Sequence, residues 1–466
     1  MKKLELASLV PGTVVASDLY TENGELLVSR GVAISEKHLD VLKRRNIIDV
    51  FVKDQEENEE IHRLLSKDFE SLGELHFDDP TLTAASKPKV SPPPPKAFES
   101  LQLSKVKTGQ EGLQQLLQSD KVRKFDEVAK AGAFSDRPIG PALKARATQV
   151  PVGQRSDEYK SNMKTTYAEA LRNVRFLLTS LADYVEIEGA TIRSVVESFV
   201  KTWLADRSIL LNIVNTKPTE EEYLYHHSLN VCLLSVNIAA SAGYSEKQVI
   251  DIGIGAALHD VGMLLVPREI RLKKARLTND EWYEVQKHSV IGLHILERVT
   301  RLPESASFIA YQTHERENGQ GYPKQRNSRL IHRFSKIVQI ADVFESLSSS
   351  RPYRAAYIPY RAMETIVKMS QKNLLASEFV KPLVAYMSLF PVGSMVELND
   401  HTIAKVVQAN EAHFTKPIVS ILADSSGNLL PKDNIFQIDL SKDESIQIVK
   451  AVESSKLPGL DIMHGF

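Results

Sequence analysis

YLYHHSLN at 223–230, LHDVG at 258–262, KHSVIG at 287–292, THERENGQGYP at 313–323 and ADVFESLSSSRPYR at 341–354 decide how this chain is read. Each of the five carries a histidine or an aspartate at a position that suits a metal ligand. A lone His-Asp pair such as His259-Asp260 is common. A His-Asp pair with histidines upstream and downstream, followed by an aspartate in a later helix, is an ordered set that chance seldom produces.

The residue types point to a chemistry. Water attacks a phosphodiester slowly because both partners are electron-rich. Divalent ions answer this by acidifying a water and neutralising the phosphoryl oxygens, and two ions about 3.5–4 Å apart can do both for an in-line displacement. Such a site needs neutral imidazoles and carboxylates, one of them able to bridge. Asp260, next to His259, is placed to face two metals from one helix end. A nitrogen and oxygen ligand set without sulfur suits iron or manganese, with zinc also accommodated.

The flanks of these segments read as helices joined by short loops over 220–390. Ser245 with Gln248 and Thr278 with Glu281 each fit a capping box. The second sets a helix over about 279–297, with His288 on its inner face and His294 on a solvated side. Pro303 opens a helix that ends near His314. Gly319, Gly321 and Pro323 make 315–330 a loop, and His332 to Ser350 forms a further helix containing Asp342. His226, about 100° round the helix from His227, reads as structural.

Outside this block the chain changes character. Residues 1–53 read as a small α+β module. Its hairpin turns at Glu22-Asn23-Gly24-Glu25, a short helix runs from Ser35 to Arg45, and a strand follows at 47–52. Residues 54–155 are an acidic and Pro-rich linker, partly disordered, with a weak helical pattern near 111–131. Residues 156–219 form a helical stalk with an apolar stripe (Tyr167, Leu171, Val174, Leu177, Leu178, Leu181, then Val195 to Leu210). That stripe is either a coiled-coil dimer seam or packing on the next domain. Residues 391–466 turn to short strands, a small barrel-like or sandwich-like β-rich region without a catalytic set.

The chain of 466 residues accommodates about three domains. Its net charge of −1 gives no global basic field, which disfavours nucleic-acid and anionic-membrane binding. The single cysteine, Cys232, rules out a disulfide framework and a thiolate zinc cluster. No signal-peptide pattern and no membrane-length apolar run are evident, so the expected location is cytoplasmic.

At LHDVG, KHSVIG, HER with GQGYP, and ADVF with RPYR, in that order, the sequence resembles the HD-GYP family of cyclic dinucleotide phosphodiesterases. The resemblance covers about 220–390 and extends to the N-terminal module and to PVGSMVEL at 391–398. It implies a mainly α fold: an HD-superfamily helical bundle with a small N-terminal α+β module and a small C-terminal β-rich appendage. It also implies hydrolysis of cyclic di-GMP to pGpG or GMP in second-messenger signalling. Carried over by motif, His227, His259, Asp260 and Asp342 correspond to ligands of one metal, and His288 and His314 to ligands of a second, with Asp260 bridging. His259 and Asp260 would carry the chemistry. Tyr322, Arg351, Arg354 and Lys273 correspond to substrate-binding positions. The implied cofactors are two divalent ions, iron or manganese, or one ion alone. The implied partners are cyclic di-GMP, a second copy of the chain through the stalk, and signalling proteins.

Several positions depart from the family. Thr313 replaces the first histidine of His-His-Glu, and Met263 stands where a lysine is usual. Asn318, Glu345 and Ser350 replace aspartates, and Tyr223 lies where some members have a third-metal carboxylate. The ligand set of the first metal is complete, while these departures thin that of the second to Asp260, His288 and His314 and disfavour a third metal. They leave open a degenerate member that senses cyclic di-GMP or binds a protein without turnover. Glu315 reads either as a support for a ligand histidine or as a surface carboxylate.

Overall fold

The computed structural model describes residues 105–131, 136–148, 157–183, 185–206, 219, 221–349, 356–410 and 412–452, with 2–5, 10, 19–20, 26–28, 34, 39 and 49–52. The chain divides into two compact units, Met1–Ser86 and Lys87–Phe466.

In the first unit β1 (Lys2–Glu5), β2 (Leu19–Tyr20), β3 (Leu26–Val28) and β4 (Asp49–Val52) form an antiparallel sheet in the order β1-β4-β2-β3. β2 pairs with β3 through Leu19↔Val28 and Tyr20↔Leu26, the hairpin expected from Asn23-Gly24. The turn itself, and the helix expected at Ser35 to Arg45 apart from Leu39, lie outside the described residues.

The second unit is mostly helical. Its helices are α1 (Gly109–Leu117), α2 (Asp120–Ala131), α3 (Asp157–Ala182), α4 (Gly189–Ala205), α5 (Tyr223–Ser241) and α6 (Glu246–Leu258). A 3-10 turn, Val261–Leu265, leads to α7 (Arg268–Arg271), α8 (Asn279–Leu296), α9 (Glu304–Gln312), α10 (Arg333–Ser348), α11 (Pro359–Gln371) and α12 (Ser377–Met387). Both capping boxes form. The Thr278 amide donates to Glu281 Oε2 at 2.8 Å and the Glu281 amide to Thr278 Oγ1 at 3.3 Å, which starts α8 where the sequence places it.

Helix α5 is apolar around nearly its whole circumference and is correspondingly buried, with α6, α10 and α12 packed on it. The stretch Glu246–Leu265 has the length and apolarity of a membrane span, but 83% of it is buried inside the fold, where it serves as core.

One expectation is extended and one corrected here. Within the segment read as a partly disordered linker, the weak helical pattern near 111–131 forms α1 and α2, which pack on the helices that carry His288 and lead to His314. The Gly109 amide donates to Glu284 Oε1 at 2.6 Å, the Lys287 ammonium to the Lys107 carbonyl at 2.8 Å, and the Phe125 ring lies 4.0 Å from that of Phe308. His294, expected in solvent, is instead buried in α8, facing Lys121 of α2. The linker helices cover that face, which the periodicity of α8 alone could not show.

The stalk resolves toward packing within the chain. Tyr167, Val174, Leu177, Leu178 and Leu181 of α3 and Val196, Phe199, Val200 and Trp203 of α4 are buried. α3 lies against α5 and α4 against α6. The described part of the stripe that could have formed a dimer seam is thus covered by the chain itself, while Ile209 and Leu210 lie outside the described residues.

His332 caps α10: its Nδ1 accepts the Phe334 amide at 3.1 Å, and its ring stacks on Phe308 at 5.4 Å. Burial holds its pKa down to about 4. Burial likewise lowers His294 to about 4. Both values lie below the roughly 6.5 of a free imidazole, so the unfolded chain binds these protons first. Stability is therefore full above about pH 6.5 and falls as pH drops toward about 4. The melting temperature is expected to decline steadily across this window. His294→Gln should flatten the slope, and a melting temperature flat from pH 7 to 4.5 would contradict the assignment.

After α12 come β5 (Met395–Leu398), β6 (Ile403–Gln408), β7 (Ile418–Ala423), β8 (Gln437–Asp439) and β9 (Ile448–Val452). They form one antiparallel sheet in the order β8-β7-β6-β5-β9. Alternation sends Val396, Leu398, Val406 and Val419 to one small core and Met395 and Ile403 to another. Strand β9 was not foreseen from the sequence; its IVKAV run exposes Val449 and Lys450.

Candidate metal centre

Six side chains converge at one buried place. His227 comes from the second turn of α5, and His259 closes α6 with Asp260 just beyond it. His288 lies in the middle of α8, His314 follows the end of α9, and Asp342 sits in α10. All six are at most 9% exposed.

Asp260 is the hub. Its Oδ1 lies 3.4 Å from His259 Nε2, 3.3 Å from His288 Nε2 and 3.4 Å from His314 Nε2, while Oδ2 lies 3.6 Å from His227 Nε2. Asp342 Oδ1 is 3.3 Å from His227 Nε2, and its Oδ2 is 3.6 Å from His314 Nδ1. His227, His259 and Asp342 form one group able to hold a metal ion, and His259, Asp260 and His314 form another.

The tautomers show why a cation fits. His259 Nδ1 donates to the Ala256 carbonyl at 2.8 Å and His288 Nδ1 to the Val285 carbonyl at 2.6 Å. A carbonyl only accepts, so each Nδ1 carries the proton and each neutral ring turns its Nε2 lone pair inward. His227 Nδ1 donates to the Glu345 carboxylate, with the same result. Three lone pairs and two carboxylates therefore face one another; the polar hydrogens within reach are those of His314, 3.4 Å from Asp260, Ser346, 3.3 Å from Asp342, and Ser289, 3.4 Å from His288 Nε2. His259 Nε2 is buried without a hydrogen-bond partner. Electron-rich atoms arranged in this way are stabilised by positive charge at their centre.

Burial pushes the Asp260 carboxyl up, but His259, His288 and His314 outweigh it and hold it well below the usual carboxylate range. Asp342 is likewise depressed: burial raises it, and His227 and His314 more than reverse this. Burial holds His314 below the ordinary imidazole value. Ionised carboxylates beside neutral imidazoles are the state a divalent ion requires.

The signature loop is folded by a carboxylate. Glu315, fully buried, accepts the backbone amides of Lys324 and Arg326, each at 2.8 Å. It is thus neither of the two things expected of it, since its bonds go to the loop rather than to a histidine or to solvent. Burial raises its pKa, and those two amides oppose the rise. A Cβ on Gly321 would sit 2.4 Å from backbone atoms of Glu315 and Arg316, so only glycine lets the loop close this tightly. Closure stacks the Tyr322 ring on His314, with centroids 4.9 Å apart and planes 8° apart. Glu315→Ala is expected to destabilise the chain by about 2 kcal/mol by leaving two buried amides without an acceptor. It should also open 319–326 to limited proteolysis; a variant as stable and as resistant as wild type would contradict this role.

The other sequence candidates are placed differently. The Lys273 ammonium is held by both oxygens of Glu281, at 2.8 and 2.5 Å, rather than by the ligand cluster. Arg351 and Arg354, with Ser350, lie outside the described residues. Thr313 is buried and donates its hydroxyl to the Ile309 carbonyl at 2.7 Å, so it does not replace the missing histidine. Asn318 serves the loop turn, accepting the Gln320 amide at 3.1 Å. His226 Nδ1 lies 3.1 Å from Tyr167 Oη, in keeping with a structural role.

One residue escaped the sequence reading: Trp282 is 43% exposed, with its ring 5.5 Å from Tyr322 and edge-on to it. Glu345, read from the sequence only as a departure from the family's aspartate, supports His227.

A buried cluster of histidines and aspartates on a helical bundle is an arrangement able to hold divalent metal ions. Residues 209–375 match the family described as HD domain, and residues 395–459 match the KOW domain associated with HD domain. Residues 209–375 are thus similar to the HD domain family, in line with the resemblance read from the motifs. The chain is 27% identical over 236 residues to a cyclic di-GMP phosphodiesterase of Pseudomonas aeruginosa, covering 50% of this chain and 56% of that protein. It is 31% identical over 212 residues to a cyclic di-GMP phosphodiesterase of Thermotoga maritima, covering 45% and 54%. It is 30% identical over 149 residues to a 3′3′-cGAMP-specific phosphodiesterase of Vibrio cholerae, covering 32% and 34%. The chain thus spans about half the length of the first two relatives and a third of the last.

Proposed function

We propose that this chain is a metal-dependent phosphodiesterase that hydrolyses cyclic di-GMP to pGpG or GMP. The observation that carries the proposal is the Asp260-centred cluster, in which the inward lone pairs of His227, His259 and His288 meet two buried carboxylates. His227, His259 and Asp342 would hold one ion and His288 and His314 a second, with Asp260 touching both; iron or manganese suits this donor set. When bound, such ions supply positive charge to phosphoryl oxygens and acidity to a water.

The protein's own groups do the rest. Asp260 and Asp342, ionised and desolvated, orient the water and accept hydrogen bonds from it. The attacking oxygen forms a bond to phosphorus as the bond to the ribose 3′ oxygen breaks, and that oxygen leaves with a proton. Tyr322, stacked on His314, and Trp282 beside it form an aromatic ledge at the edge of the cluster. A guanine base stacked there would hold the phosphate over the ligands. Arg351 and Arg354, which follow α10 in the chain, would neutralise the substrate phosphates.

The test is metal content per chain together with turnover of cyclic di-GMP, after loading with Mn²⁺ or Fe²⁺ under reducing conditions. Bound metal with turnover supports the proposal. Intact cyclic di-GMP at full metal loading rejects it. A second reading is favoured by Thr313, whose hydroxyl is committed to the Ile309 carbonyl and leaves the second ion short of a ligand. In that case the chain binds the nucleotide without cleaving it. Tight binding, no turnover and no effect of His259→Ala on affinity would establish the sensor. Parallel assays with 3′3′-cGAMP separate the two dinucleotides.

A further inference from the structure

His227 is held by more than its own helix. Its Nδ1–H donates to Glu345 of α10, a carboxylate only 2% exposed. Glu345 also accepts the Asn230 amide nitrogen at 3.3 Å and the Ser349 hydroxyl at 2.7 Å. Asn230 in turn accepts the Tyr167 hydroxyl on its Oδ1 at 3.0 Å. Tyr167 belongs to α3, the helix that enters the domain from the linker segment, and is itself buried. An unbroken line of hydrogen bonds therefore runs from α3 through α5 and α10 to a candidate metal ligand.

The bonds have a direction. The Tyr167 hydroxyl lies 3.0 Å from Asn230 Oδ1 and 3.1 Å from His226 Nδ1; donating to Asn230, it fixes which end of the amide is oxygen and so presents the NH₂ end to Glu345. With Tyr167 withdrawn, Glu345 alone within this line still selects the NH₂ end of Asn230, and the amide is held less firmly in the buried site. A carboxylate that has lost a donor accepts less well-ordered bonds, and the histidine it orients loses both its fixed ring angle and part of its basicity. α3 also packs on the 3-10 turn that follows Asp260.

We propose that Tyr167, Asn230 and Glu345 are positioning residues for His227, and that α3 sets metal affinity through them. The proposal rests on the metal-centre reading above. It makes α3 the route by which a change upstream in the chain would raise or lower activity without touching the substrate.

The experiment is Mn²⁺ binding to the full chain by equilibrium dialysis, for wild type, Tyr167→Phe, Glu345→Gln and the double variant, with circular dichroism as a fold control. Glu345→Gln is expected to weaken Mn²⁺ binding about tenfold or more. Tyr167→Phe should weaken it about threefold to tenfold. The double variant should match Glu345→Gln alone, because both act through one line; a merely structural role would give additive losses. Unchanged Mn²⁺ affinity in Tyr167→Phe, or full additivity, overturns the proposal while leaving the metal centre standing. A wild-type chain that takes up no Mn²⁺ overturns the metal centre and the proposal together.

Discussion

Asp260→Asn is expected to empty the centre of metal and to lower kcat/KM on cyclic di-GMP by about 10⁴-fold or more, on the order of 5.5 kcal/mol of transition-state stabilisation. The carboxylate is the one side chain placed against four histidines, with Oδ1 toward His259, His288 and His314 and Oδ2 toward His227. An asparagine of the same shape keeps one oxygen. It directs an NH₂ group into the space where the other half of the cluster expects an anion, so neither ion keeps its ligand set. The metal-free variant should be less stable than metal-free wild type near neutral pH, since the histidines that depress the Asp260 carboxyl make its ionised form a stabilising one. Metal analysis, initial rates and thermal melts of the same preparation check all three outcomes. Wild-type metal content and turnover in Asp260→Asn would falsify its role as the bridge.

Gly262→Ala should destabilise the chain by about 3 kcal/mol and weaken metal binding with it. A Cβ at this position would lie 2.1 Å from the His288 carbonyl oxygen and 2.8 Å from the Gly292 amide nitrogen. Both are backbone atoms of α8 and cannot swing aside. The 3-10 turn would have to lift off α8, and the turn begins at Asp260 while the obstructing carbonyl belongs to His288. The same clash therefore pulls two candidate ligands apart. Gly292→Ala is the control. Its Cβ would meet its nearest neighbours at 3.7 and 3.8 Å, ordinary contact distances. Alanine also favours a helix interior by about 1 kcal/mol over glycine. Chemical denaturation should show a large loss for the first variant and little or none for the second. Equal effects would mean that close packing of the turn on α8 is not what positions Asp260.

Much of the site could be read in advance because its information is local. Ser245 with Gln248 and Thr278 with Glu281 are three-residue patterns whose hydrogen bonds close within one turn, so α6 and α8 start where those residues stand. The Gly-rich run at 319–323 marks its own loop. Residues whose surroundings come from distant parts of the chain were harder. The ring of His294 depends on whether α2 lies over it, and nothing in α8 records that. Glu315 looks like a surface acid until the loop folds back and offers it two amides. Trp282 sits on an outward-looking position of its helix, and only the return of Tyr322 makes it part of the site.

By itself the sequence indicated the helical bundle and the starts of α6 and α8 through periodicity and short-range capping, the Gly-Tyr-Pro loop through turn chemistry, and the six candidate ligands through the resemblance of its motifs to the HD-GYP family. Tertiary structure alone decided which nitrogen of each histidine faces inward, that Glu345 and Tyr167 stand behind His227, that Lys273 is held by Glu281, and that the apolar stripe of α3 is covered within the chain. Those outcomes depend on distances between segments far apart along the backbone, and such distances exist only once the chain has closed on itself.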